Sequence, residues 1–247
     1  MLFLWYNYIM TREITNATEG PDGPWYFLYF DGSCYPNPGG EMGLGWALYE
    51  GRGSVSLGSR GEYPASPPTL DLSNRGELIA FGAESAGPGT NNRAEYLALI
   101  AGLRRALFLG VRRLVVVGDS QLTVRQVDGH WECRDEELRA HRRVVWRLRS
   151  GLKKMSMRFV KRADNGYCDS LAAEKPAIPQ KFTAERYLVA PITGRLLTDR
   201  QAALMQWLWA ARGFTSGELG RIFGMNASHA WNIATRARYK DIGEEHL

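Results

Sequence analysis

Three strand-like runs stand in a row before the first helix, and strand and helix alternate after it. No other feature of the chain constrains its fold as much. "WYFLYF" (25–30) is a short aromatic, apolar run that reads as a buried strand. It ends at "DGSCYPNPGG", where Gly and Pro force a loop. "GLGWALYE" (43–50) and "GELIAFGAE" (76–84) read as the second and third strands. Between them, residues 51–76 are rich in Gly, Ser and Pro and read as a mobile insertion. The helix opened by "TNNRAEY" comes next, then the β-branched strand "RRLVVVGDS" (112–120). A helix from Ser120, the helix "DEELRAHRRVVWRLRSG", a fifth strand "MSMRFVKR" (155–162) and a short helix at "CDSLAAEK" complete the series. This order predicts an α/β fold, a mixed five-stranded sheet with helices on both faces.

At 247 residues the chain is long enough for one such domain and a small second one. The prolines of "PAIPQKF" end the last helix and predict a linker over 176–194. Residues 1–24 open with "MLFLWYNYIM", about ten apolar residues without a basic n-region. That is too short to span a bilayer and makes a poor signal peptide, so the expectation is an N-terminal tail and no membrane partner. Cys34, Cys133 and Cys168 are far apart and odd in number, with no metal-ligand spacing, which fits a reducing, cytoplasmic setting.

The formal net charge of +5 admits a polyanionic partner, and the excess is local. Residues 134–162 read "RDEELRAHRRVVWRLRSGLKKMSMRFVKR". Two readings stay open for this run: a solvated helix face, or a phosphate-binding surface that uses Arg142, Arg143, Arg147 and Arg149.

"TNNRAEYLALIAGL" (90–103) reads as an amphipathic helix on Ala94, Leu97, Ala98 and Ala101, yet Glu95 sits beside that stripe. A carboxylate near a core is costly without a partner. Asp31 ends strand one and Asp119 ends strand four, the edge where open α/β sheets gather their ligands. If those strands are parallel neighbours, Asp31 and Asp119 emerge side by side, within reach of Glu95. Asp169, opening the helix after strand five, makes a fourth. Like charges at 4 Å repel by roughly 4 kcal/mol at an effective dielectric of about 20, so the cluster needs protons or cations. Oxygen ligands without His or Cys suit Mg²⁺ or Mn²⁺. Singly, each acid has a bland explanation: "DG" as a turn, "GDS" as a helix cap, Asp169 as a complement to a helix dipole.

Taken together, "YFDGSCYPNPGG", "TNNRAEY", "VVVGDSQL" and "CDSLA" resemble the motifs of type 1 ribonuclease H, in that family's order and over residues 25–175. The resemblance implies the ribonuclease H-like fold and hydrolysis of the RNA strand of RNA–DNA hybrids. It implies two Mg²⁺ ions, with Mn²⁺ as a substitute, held by Asp31, Glu95, Asp119 and Asp169, and products with 5′-phosphate and 3′-hydroxyl ends. It implies substrate contacts at Cys34, Asn37, Thr90, Asn91, Asn92 and Gln121. The family's mobile His is missing from "KRADNGYC", where Asp164 rivals Asp169, and its basic protrusion is absent as well.

Residues 195–247 form a separate helical unit in this reading. "TSGE" is a capping box, and Gly220, the turn at Gly224, Ala230 and Ile233 have the spacing of a helix-turn-helix. The unit resembles the helix-turn-helix modules of site-specific recombinases and phage proteins, which implies contact with duplex DNA through His229, Asn232, Arg236 and Arg238. The competing reading is a three-helix packing module. A second function stands beside hydrolysis: a DNA-binding regulator or scaffold that keeps the fold with little or no catalysis.

Overall fold

The computed structural model describes residues 24–51, 75–174, 197 and 199–235. The expected N-terminal tail, nearly all of the insertion, the linker, and Arg236 and Arg238 lie outside the described residues. Strands β1 (Trp25–Tyr35), β2 (Glu41–Gly51), β3 (Arg75–Pro88), β4 (Arg113–Gly118) and β5 (Lys154–Phe159) form one sheet in the order β3-β2-β1-β4-β5. β1 pairs antiparallel with β2 and parallel with β4, so the sheet is mixed. The central position of β1 explains its unbroken apolar run. Tyr26, Leu28 and Phe30 enter one core, while Trp25, Phe27 and Tyr29 enter the other.

Two strands outrun their sequence patterns. β1 continues through "DGSCY" because β2 keeps pairing with it as far as Tyr35 and Glu41. β3 runs on to Pro88 as an edge strand, where Gly and Pro are tolerated.

Helix α1 (Asn91–Phe108) starts on Thr90, whose side chain accepts from the Arg93 N–H at 3.2 Å. Its predicted apolar stripe proves too narrow, since every residue from Ala94 to Arg104 is buried. The sheet lies on one side of α1 and other helices on the rest. A helix enclosed in this way needs no polar face. α2 (Gln121–Val127) and α3 (Glu136–Arg149) follow, and α4 (Gly166–Glu174) covers the opposite sheet face through β1 and β2.

The last three helices are α5 (Asp199–Arg212), α6 (Ser216–Phe223) and α7 (Ala227–Ala234). They share the α1 core: Phe223 meets Phe108 with ring centroids 5.7 Å apart, and Leu208, Phe214 and Leu219 are fully enclosed there. Thr215 and Glu218 make the capping box of α6. Of the arginines offered to a phosphate surface, Arg149 instead donates to the Met155 carbonyl at 3.4 Å, and Arg147 is drawn into α6. Among the described residues, no helix is long and apolar enough to cross a membrane.

Candidate active site

The parallel pairing of β1 and β4 ends at Phe30 and Gly118, so the next residues, Asp31, still paired with β2, and Asp119, which leaves the sheet, follow at the same end. Two glycines then let helices close on that spot. A Cβ on Gly32 would lie 2.1 Å from the Glu95 backbone nitrogen, so only glycine lets α1 come this near to β1. Gly45, facing Asp31 across the β2 pairing, does the same for α4, where a Cβ would lie 2.3 Å from the Cys168 carbonyl. Sequence order, pairing and missing side chains thus bring Asp31, Glu95 and Asp119 together. One oxygen from each lies within 4.8 Å of the others.

Asp31 is 4% exposed and Glu95 9%. Burial and the charge of Asp119 push the Asp31 carboxyl up to about 7, partly opposed by hydrogen bonds from Glu95 and from the Gly32 N–H at 2.9 Å. Burial, then Asp31 and Asp119, raise Glu95 well above the usual carboxylate range. Without a cation, burial and the neighbouring acids thus favour the protonated form of Glu95. Its Oε2 is buried without a hydrogen-bond partner. A set of converging carboxylate oxygens, one of them orphaned, and no nitrogen or sulfur ligand, fits a hard divalent cation.

The other two acids near the site differ from the trio. Asp169, on α4, is ion-paired with Arg162 and stands outside the cluster, although its charge still raises Asp31. Asp164, its rival in the sequence, is exposed in the 3-10 turn Arg162–Asp164. Between them sits Asn165, 2% exposed, a residue that motif reasoning passed over. Its amide donates to the Phe30 carbonyl at 2.8 Å and to Asp119 Oδ1 at 2.9 Å. It thereby ties the acid of β4 to the end of β1. The available signal was a small polar residue just before Gly166 at a helix start, and that pattern reads as an ordinary cap.

A cavity of about 360 Å³ opens at the start of α1, lined in part by Asn37, Thr90, Asn91 and Asn92. Asn37 Oδ1 accepts from the Asn91 backbone N–H at 3.1 Å, fastening the loop after β1 to the start of α1. Gln121 is exposed at the head of α2, outside that cavity. Cys34 departs from expectation. It is buried, and its thiol lies 3.1 Å from the Gly40 carbonyl and 3.3 Å from that of Gly89, so its side chain holds the loop from inside.

Such a sheet, with carboxylates at its open end and amides beside them, defines a metal-binding nuclease of the ribonuclease H fold. A family model described as "Reverse transcriptase-like" matches residues 71–175. The ribonuclease HI of Halobacterium salinarum is 33% identical over 162 residues, which are 66% of this chain and 69% of that protein. This chain belongs to the ribonuclease HI family, and it is an endoribonuclease of that type. The bifunctional protein Rv2228c of Mycobacterium tuberculosis is 37% identical over 120 residues, 47% of this chain but only 32% of that protein's length. The solved N-terminal RNase H domain of Rv2228c superposes with a TM-score of 0.51 at 28% identity, covering 62% of this chain and 93% of that one.

Proposed function

We propose that this chain hydrolyses the RNA strand of RNA–DNA hybrids, with two Mg²⁺ ions, or Mn²⁺, held by Asp31, Glu95, Asp119 and Asp169. The products carry 5′-phosphate and 3′-hydroxyl ends. The observation that carries this reading is the trio within 4.8 Å, Asp31 and Glu95 buried and Asp119 half-buried, with Glu95 Oε2 unpartnered. Family membership supports it as well. When bound, the ions supply the charge that stabilises the attacking and leaving oxygens of an in-line displacement.

The chain's own groups do the rest. Asp31 and Asp119 are aimed by the sheet, and Asn165 keeps Asp119 from turning away. Asn37, Asn91 and Asn92 can both donate and accept, which is what reading a 2′-hydroxyl requires. Thr90 stands in the same cavity for a phosphate, with Gln121 at the neighbouring helix start and the Cys34 backbone shaping the loop. The helix pair α6–α7 serves as a helix-turn-helix for duplex DNA in this reading, with His229, Trp231 and Asn232 exposed on α7.

One observation favours the second reading, a DNA-binding scaffold with little catalysis: Arg162 already neutralises Asp169. A labelled RNA–DNA hybrid, an RNA duplex and a DNA duplex, each incubated with Mg²⁺, Mn²⁺ or chelator, separate the two. Cation-dependent cutting of the hybrid's RNA strand alone is the expected result. Folded protein that cuts none of them would overturn hydrolysis in favour of the scaffold.

A further inference from the structure

A second cluster of like charges lies at the other end of α1. A cavity of about 290 Å³ between α1, α3 and α6 is lined by Arg104, Arg143, Arg147, Phe214, Glu218 and Arg221, among others. Four guanidinium groups thus face one carboxylate. That carboxylate is already committed. Glu218 accepts from Arg147 Nε at 2.7 Å and, within its capping box, from the Thr215 N–H at 2.7 Å and hydroxyl at 2.9 Å. Arg147 is committed too, donating to the Arg212 carbonyl at 3.1 Å and lying 4.1 Å over the Phe214 ring.

Three arginines remain. Arg104 is 6% exposed, and its Nη1 is buried without a hydrogen-bond partner. Its neighbour Arg221 repels it across the cavity. Glu84 and Glu218 attract it, but Glu218 is already committed and burial pushes the Glu84 carboxyl up to about 7, which weakens it as a counter-charge. Arg143 and Arg221 stand exposed at the rim. An enclosed guanidinium with an idle N–H and a like charge beside it is unfavourable unless an anion completes the site.

We propose that this cavity is an anion site that binds a phosphate group, held by Arg104 from below and by Arg143 and Arg221 from the rim. Guanidinium forks match phosphate oxygens two at a time. The Phe214 face is covered by Arg147 and the Glu218 carboxylate is committed to it, so neither is open to stack on a base or accept from one. The ligand is therefore recognised by its phosphate alone, whether that belongs to a nucleic-acid backbone or to a free phosphate or diphosphate. Arg104 follows Glu95 by nine residues, about 13 Å along the helix at 1.5 Å per residue, so this site is separate from the carboxylates. It joins α1 and α3 to α6, so a bound phosphate clamps the C-terminal helices onto the sheet domain. The inference does not depend on the hydrolysis reading.

Calorimetric titration of the full chain with inorganic phosphate and with pyrophosphate, at constant ionic strength set by chloride, tests it. Saturable binding is expected, weakened at least tenfold in Arg143→Gln/Arg221→Gln, whose exposed side chains are dispensable for folding. Arg104→Met should abolish binding, with circular dichroism as the check that the variant is folded. A DNA duplex is then added as competitor. Displacement of phosphate by duplex assigns the site to a nucleic-acid backbone, and its failure assigns it to a free phosphate. Absence of saturable binding by any of the three, or binding unchanged in the double variant, would overturn the proposal.

Discussion

The two ends of α1 make the most instructive comparison in the molecule. Near its start, Glu95 joins two aspartates. In its last turns, Arg104 faces Arg143 and Arg221. Each cluster stands at the helix end whose dipole favours its sign, a benefit of some tenths of a kcal/mol that cannot offset several confined like charges. Packing imposes both clusters, and both invite a counter-ion. They differ in origin. The acids come from strand ends and a helix start fixed by the sheet. The arginines meet only because the C-terminal helices dock where they do.

The largest effect should come from the acidic end. Asp119→Asn removes a charge from the trio, and hybrid cleavage should fall by roughly a thousandfold, equivalent to about 4 kcal/mol of lost transition-state stabilisation. Full activity in that variant would break the comparison, since the acids would then be bystanders as much as any surface charge. Asn165→Ala should come next, losing roughly 10- to 100-fold in turnover or cation affinity, as for other groups that orient a metal ligand. Asn165→Asp should not rescue it, because a carboxylate cannot donate to Asp119 and the Phe30 carbonyl. Equal activity of all three proteins would show that Asp119 orients itself.

Protons test the acidic end directly. Asp31 is raised from its ordinary 3.8 to about 7 in the cation-free protein. A raised carboxyl stabilises the fold while protonated, so its contribution is complete below about pH 4 and is lost as pH rises through about 7. Asp31→Asn should therefore melt above the parent protein in chelator, by a margin that grows between about pH 5 and pH 8. Added Mg²⁺ should reverse that order at the upper end, since only the parent keeps its full set of ligands. A constant margin across that range would mean that Asp31 is not raised.

The smallest effect is expected at Arg162→Ala. The pair with Asp169 is largely exposed, with side-chain accessibilities of 75% and 38%, and pairs of this kind contribute about 1 kcal/mol or less. Releasing Asp169 should let the site take up Mg²⁺ a few-fold more tightly, read from the cation dependence of cleavage. Weaker uptake would show Arg162 helping rather than competing.

Much of the acidic end was legible in the sequence because strands announce their own ends. The "DG" after an aromatic run and the "GDS" after a β-branched run mark where the pairing of β1 with β4 ends, although β1 itself runs on past Asp31. Asn165 was not legible, since its role depends on reaching back 135 residues to a carbonyl of β1. The inward turn of the Cys34 thiol was not legible either, because a residue in a polar loop motif gives no sign of which way its side chain points. The enclosure of α1 was underestimated, since one stripe reports one packing partner and this helix has several. Arg104 and Arg221 look in sequence like any solvated arginines, Arg143 belongs to the basic run read as one possible phosphate surface, and only the docking of α6 brings the three together.

Gly32 carries a last consequence. The contact between its strand and α1 is backbone against backbone, with no side chain in between to compress or rotate. Such a contact acts as a one-sided stop: thermal motion can draw the strand and the helix apart, but cannot push them closer. The closest approach of the two main chains that carry Asp31 and Glu95 is thus a hard mechanical limit set by atoms that take no part in the chemistry, and only the side chains are left to adjust around a ligand.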